Sequence, residues 1–254
     1  MEEKELPLSI ATPELTICSQ LFYPETISTG LTLTELAEVL SEKGVKIDVI
    51  CGPPTLSNDK EKIKSLIIYK GIKINRTKGS QFDKLNTTGK LMNHLSFATH
   101  LFFKLLFSKT KAPILAVTNP PFLGIVISMV NLIKKRPFIY LLFDLYPETA
   151  IQAKVIKPNS FIDKIWKKGN RFTLKQADQV ITIGRCMNQK LLTNYPLKGL
   201  KEKTITIPVW CNDKMLQKSK DEKVNFKEKW KITSKFIVLY SGNLGRFHDL
   251  ETIM

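Results

Sequence analysis

The chain is 254 residues long, 43% apolar and 24% charged, which excludes a disordered, collagenous or disulfide-knotted protein. At ~100–200 residues per domain, this length holds one large domain, or one and part of a second. A net charge of +16, carried by 34 lysines against five arginines, fits either an anionic partner or a solvated lysine-rich face, and the shortage of Arg argues against base-reading nucleic-acid recognition, which leans on the guanidinium fork.

In chain order, Leu15–Phe22 reads as a buried strand, and Tyr23–Gly30 as a loop. Leu31, Leu33, Leu36, Ala37 and Leu40 then recur at helical spacing until Gly44, where a residue free to adopt positive φ ends the helix. Val45–Cys51 is the next strand, completing a β-α-β unit, the building block of a parallel sheet. Leu66–Thr77 holds a strand or a hairpin around Gly71; Lys90–Phe107 is a helix; Ile114–Thr118 is a strand; Phe122–Ile133 is a buried helix. Phe138–Phe143 consists only of bulky apolar residues, as expected of a central strand covered on both faces. Phe161–Ala177 is a basic amphipathic helix, Gln179–Ile183 a strand, Met187–Tyr195 a helix and Thr204–Ile207 a last strand. The pattern predicts an α/β protein with a doubly wound, Rossmann-like parallel sheet.

Residues 1–208 form this first domain, and 209–235, rich in Lys and Asp with a helical candidate at Val224–Lys231, read as a linker. Residues 236–254 supply one strand (Phe236–Tyr240), a glycine turn and a helix start. Too short to bury a core, they are expected to open a second domain of which most is missing. The best apolar stretches fall short of the ~20 residues that cross a bilayer, and Met1–Glu5 lacks a signal peptide's basic and apolar regions. Cys18, Cys51, Cys186 and Cys211 show no metal-binding spacing. A cytoplasmic protein with reduced thiols is expected.

Ligands of an open parallel sheet bind beyond the carboxyl ends of its strands, which directs attention to four loops. Ser28-Thr29-Gly30 stands at a helix start, where free N–H groups can receive a phosphate or a simple N-cap can form. Thr118–Phe122 is a proline loop. Asp144 and Glu148 are two carboxylates four positions apart after the most apolar strand. They suit either a role in orienting or deprotonating a hydroxyl or helix capping. In Ser241–His248, Gly242, Asn243, Gly245 and Arg246 make either a diphosphate cradle or a tight turn. His94 and His100, on one apolar helix, read as packing residues, and no G-x-S-x-G or G-x-G-x-x-G element is present.

Taken together, FYPETISTGLTLTELAEVLSEKGVKIDVICGPP, LSFATHLFF, TNPPFLGI, FDLYPETA, ADQVITIG and KFIVLYSGNLGRFHDLETI resemble the GT-B glycosyltransferases of family 4, in particular those that assemble bacterial exopolysaccharide, O-chains and capsules. The resemblance implies an N-terminal acceptor-side domain facing a C-terminal domain that binds a nucleotide-diphospho-sugar. It implies sugar transfer with retention, with no metal or other cofactor, onto a lipid-linked or glycan acceptor. By position, Thr29 and Gly30 approach the donor phosphates or the reacting sugar. Asp144, where many relatives carry His, and Glu148 organise the acceptor hydroxyl or donor sugar. Gly242 and Gly245 meet the diphosphate, with Asn243 where many relatives have Arg and Arg246 as its substitute. The Glu-x7-Glu region of relatives has no counterpart here, so the alternatives are a non-catalytic acceptor- or membrane-binding fragment, or half of an enzyme completed by a separate chain. For a lipid-linked acceptor, the basic, apolar-faced helix Lys90–Lys111 is expected to lie on the anionic inner face of the cell membrane.

Overall fold

The computed structural model describes residues 13–25, 28–53, 64–82, 87–210, 226–233 and 236–240. The elements are β1 (Leu15–Ser19), α1 (Ser28–Glu42), β2 (Ile47–Cys51), β3 (Leu66–Tyr69), β4 (Ile72–Arg76), α2 (Thr87–Leu106) and β5 (Ile114–Val117). They continue with α3 (Leu123–Lys134), β6 (Phe138–Leu142), α4 (Glu148–Gln152), α5 (Phe161–Gln176), β7 (Gln179–Thr182), α6 (Arg185–Asn194), β8 (Thr204–Thr206) and the single turn α7 (Phe226–Lys229).

One sheet of eight strands runs in the order β3-β4-β2-β1-β5-β6-β7-β8. Every pair is parallel except the edge hairpin β3–β4. The hairpin closes over Lys70 and Gly71, both at positive φ, the geometry of a two-residue hairpin turn. The expected α/β architecture is therefore present, with the Leu66–Thr77 stretch resolved as two strands.

The strands form where apolar residues run together, and the sheet is the spine of two cores. On one face, Phe97, Leu101 and Leu105 of α2, Leu123, Ile127 and Val130 of α3, Leu174 of α5 and Leu191 of α6 pack on Cys18, Ala116, Phe138 and Tyr140. Each such fully buried large side chain contributes about 1.5–3 kcal/mol. On the other face, Leu33 and Ala37 of α1 cover Ile17, Val49, Ile72 and Ile74. Coverage there thins at β6, where Leu141 is still buried. Ile139 and Phe143 are only half-buried, and Ile205 and Ile207 are exposed, so among the described residues Phe138–Phe143 is fully covered on one face only. The apolar run reports position in the sheet; the second cover depends on elements elsewhere in the chain.

Helices α3 and α5 cross closely because Gly124 leaves room. A Cβ there would stand 2.6 Å from Thr173 Cγ2 and 2.9 Å from Tyr140 Cζ. The start of α5 is fastened by Ser160, whose hydroxyl accepts from Asp163 N, while Asp163 pairs with Lys167 at 3.0 Å. Phe236–Tyr240, expected as a fresh strand, joins no sheet among the described residues, and Phe236, Val238 and Leu239 are exposed. A strand exists only through its hydrogen-bonded neighbour, and no described strand lies beside this one. The expected glycine turn that follows, with Gly242, Asn243, Gly245 and Arg246, lies outside the described residues.

Candidate active site

The chain leaves β1 in one direction to build β2, then returns to place β5 on the opposite side of β1. Such a reversal opens a crevice at the carboxyl ends of the two strands. A cavity of about 320 Å³ occupies it, walled by Gln20 and Leu21 after β1, Thr118, Asn119 and Pro121 after β5, and Phe143, Asp144 and Tyr146 after β6. The first turn of α1 contributes Thr29, and α2 contributes Lys90, Asn93 and His94.

Each wall is held from behind. Gln20, Leu21 and Phe22, expected within the first strand, leave the sheet after Ser19; Gln20 N donates to the Asn119 carbonyl at 3.3 Å and its own carbonyl accepts from Gly52 N at 3.0 Å. The buried Arg76 donates to the Tyr23 carbonyl, and the Tyr23 ring stacks on Tyr69 at 3.8 Å. Thr118 Oγ1 accepts from the backbone N–H of both Phe143 and Asp144 at 3.2 Å, coupling the end of β5 to the loop after β6. That loop also receives Asn170 of α5, whose amide donates to the Tyr146 carbonyl, and the Trp166 ring, stacked on Tyr146 at 5.6 Å. Cis peptide bonds occur at Tyr23-Pro24, Asn119-Pro120 and Tyr146-Pro147, one in each loop.

Asp144 and Thr29 meet in this cavity. The Asp144 side chain is solvent-accessible at the wall, yet the surrounding protein displaces enough water to push its carboxyl above the ordinary value. The same desolvation, reinforced by the Asp144 charge, raises the Tyr146 phenol. A carboxylate whose proton affinity is raised by its surroundings, bordering a crevice, has the properties of a hydroxyl-orienting base.

Gly30 and Glu148 stand elsewhere. Gly30 is buried against the loop before it, where a Cβ would lie 3.0 Å from Glu25 Cβ and 3.3 Å from the Glu25 carbonyl oxygen, so it permits close packing of α1 on that loop. Glu148 is absent from the cavity wall; its Oε1 accepts from the Asn194 amide at 2.7 Å, tying α4 to the end of α6. The two carboxylates, four apart in sequence, are separated because α4 begins at Glu148.

His94, expected as a packing residue, lies instead in the cavity wall. Its Nδ1 is 2.5 Å from Gln20 Oε1, and its ring stands edge-on to Phe122 at 6.4 Å. Burial, with Lys90 one turn away, pushes its pKa down to about 4. The signal that would have found it is its place in the first half of a helix that follows a strand, the half nearest the carboxyl ends. His100, a turn and a half later, is exposed, and its Nδ1 bonds the Ser96 carbonyl at 2.8 Å. Asn93 also borders the cavity, but its amide is committed to Ser80 and Phe82. Among the described residues no three His, Cys, Asp or Glu side chains converge as a metal site requires.

No family model matches the chain. Its sequence is 26% identical over 146 residues to the probable glycosyltransferase WbjE of Pseudomonas aeruginosa, covering 56% of this chain and 34% of that one. Its fold is similar to that of sucrose-phosphate synthase from Thermosynechococcus elongatus, with a TM-score of 0.56 and 16% identity over 81% of this chain and 50% of the other. A shorter chain of that enzyme gives 0.51 and 12% over 81% of this chain and 95% of its own length. The chain thus spans about a third of the curated relative it matches and half of the full synthase. Sequence and fold together relate this protein to the glycosyltransferases of the GT-B type.

Proposed function

We propose that this chain is the acceptor-side part of a retaining glycosyltransferase. It would transfer a sugar from a nucleotide-diphospho-sugar to a lipid-linked or glycan acceptor in cell-surface polysaccharide assembly. The observation that carries the reading is the crevice at the sheet's reversal, which brings Asp144, Thr29 and His94 into the lining of one sugar-sized cavity. Asp144 orients the acceptor hydroxyl and takes its proton as the hydroxyl oxygen bonds to the anomeric carbon, while the bond from that carbon to the nucleotide diphosphate breaks and the diphosphate leaves with the electron pair. Thr29, in the first turn of α1, stands where unpaired backbone N–H groups favour a phosphate. The donor diphosphate is held by Gly242, Asn243, Gly245 and Arg246 together with a donor-binding domain, on this polypeptide or a separate one. In this reading Glu148 supports the loop through Asn194 and does not touch substrate.

A second reading, a module that holds its acceptor at the membrane without transferring sugar by itself, is favoured by one surface. α2 packs beside α3, and α3 beside α5. Their outer faces expose Leu91, Phe103, Phe107, Leu132, Ile133, Phe161 and Ile165. Between residues 87 and 176 there are fourteen Lys and Arg against three Asp and Glu. Apolar side chains set among lysines suit an anionic lipid surface, and no helix among the described residues is long and apolar enough to cross a membrane. Assaying the full-length protein against a panel of nucleotide sugars, with Asp144→Asn as the control, separates the two readings. Transfer lost in Asp144→Asn supports the enzyme; near-normal turnover by that variant would falsify the role given to Asp144. Acceptor binding with no transfer to any acceptor supports the module.

A further inference from the structure

The strongest unassigned group in the molecule is the pair formed by His94 and Gln20. Gln20 is buried, and its backbone is bonded on both sides, to Asn119 and Gly52, which fixes the point from which its side chain reaches His94. Its Oε1, an acceptor, lies 2.5 Å from His94 Nδ1. With the amide oxygen facing the ring, the proton sits on Nδ1. Nε2 is then left with a lone pair, and it meets no protein donor among the described residues. Phe122 fixes the ring edge-on, so the imidazole is held by a hydrogen bond at one nitrogen and by an aromatic face beside it.

We infer that His94 is a positioning residue for a sugar hydroxyl, held by Gln20 as the Nδ1–H tautomer so that Nε2 accepts a hydrogen bond from the acceptor glycan in the cavity. The inference deepens the glycosyl-transfer reading and takes from it the identity of the ligand, whereas the tautomer stands on the geometry alone. The other titratable groups that line the same cavity are Lys90, Asp144 and Tyr146. Lys90 and burial together keep the ring uncharged at neutral pH, and only an uncharged ring has a nitrogen that can accept. Asp144 on the β6 loop and His94 on α2 present two acceptors to this cavity, which suits the donating hydroxyls of a sugar.

Long-range proton–nitrogen NMR of the imidazole in the uniformly labelled protein tests this. At pH 7 the expected spectrum has a protonated-type Nδ1 and an unprotonated-type Nε2. Gln20→Leu is expected to mix the tautomers. Titration with methyl α-D-glucopyranoside and methyl N-acetyl-β-D-glucosaminide is expected to shift Nε2 towards the hydrogen-bonded range. His94→Phe keeps the ring against Phe122 and is expected to fold while binding the glycosides about tenfold more weakly, as the loss of one hydrogen bond implies. His94→Gln, whose amide oxygen reaches towards the Nε2 position, should recover part of that loss. In the full-length enzyme, His94→Phe should raise the acceptor KM more than it lowers kcat. An Nε2–H tautomer, or glycoside binding by His94→Phe equal to the unchanged protein, overturns the inference. A His94 ring that responds to glycosides in a protein that transfers no sugar removes the transferase reading and leaves this one standing.

Discussion

At the scale of single residues, the cavity trades stability for chemistry. The folded protein raises the Asp144 carboxyl above its ordinary value, so the folded state holds that proton more tightly than the unfolded chain and the ionised form costs stability. The cost is present above the folded pKa and disappears as the pH falls below the unfolded value. Asp144→Asn should therefore unfold at the same temperature as the unchanged protein or a few degrees higher at pH 7, while losing transfer; a clearly lower Tm would show a structural carboxylate instead. His94 carries the opposite sign. Its pKa falls from 6.5 to about 4 on folding, so the stability tied to its neutral form is complete above about pH 6.5 and is lost as the pH drops towards 4. Urea titrations from pH 7 to 4 should show a shallower decline for His94→Phe than for the unchanged protein. Parallel curves would contradict the buried, neutral assignment.

Between elements, two contacts set the site. Thr118 Oγ1 serves two backbone N–H groups at once, those of Phe143 and Asp144. Thr118→Val keeps the shape but leaves both donors without that partner, at a cost of about 1–3 kcal/mol, and it frees the loop that carries Asp144. The expected outcome is a lower urea midpoint together with a fall in kcat; an unchanged kcat would mean that the loop is held by Asn170 and Trp166 alone. The second contact is the α3–α5 crossing. Gly124→Ala places a methyl 2.6 Å from Thr173 Cγ2 and against the Tyr140 ring, and Tyr140 is nearly fully buried. The neighbours cannot yield without opening the core, so a loss of about 1–3 kcal/mol is expected, measured by denaturant unfolding. This outweighs the gain of less than about 1 kcal/mol that Ala would bring to an isolated helix.

For the whole molecule, the charge first met as a bulk figure acquires a location. The basic surplus between residues 87 and 176 coincides with the helical layer that exposes Phe103, Phe107 and Phe161. Each Lys or Arg near an anionic surface contributes about 1 kcal/mol, screened by salt. Sedimentation with phosphatidylglycerol-containing vesicles should exceed that with phosphatidylcholine alone, and should fall as salt rises. The double variant Phe103→Ser, Phe107→Ser should reduce it further. Equal binding to both vesicle types would remove the membrane from the proposed function.

The order of strands and helices, and the loops in which to look for chemistry, were legible in the amino-acid sequence because both rest on local physics. Apolar runs must be buried, apolar residues at helical spacing must share a face, and glycine and proline interrupt either pattern. Asp144 stood out as a polar residue ending the most apolar strand. What only the tertiary structure decided depends on contacts between distant segments. It split Leu66–Thr77 into a hairpin, began α4 at Glu148 and so turned that residue to Asn194, placed Phe236–Tyr240 outside any sheet among the described residues, and showed one face of β6 only partly covered. It also brought His94 to Gln20, 74 positions apart in the chain. Helical periodicity states which side of α2 faces the protein; whether a residue on that side meets core or cavity depends on how far along the sheet the helix lies, and the packing of α2 against β1 and α3 sets that.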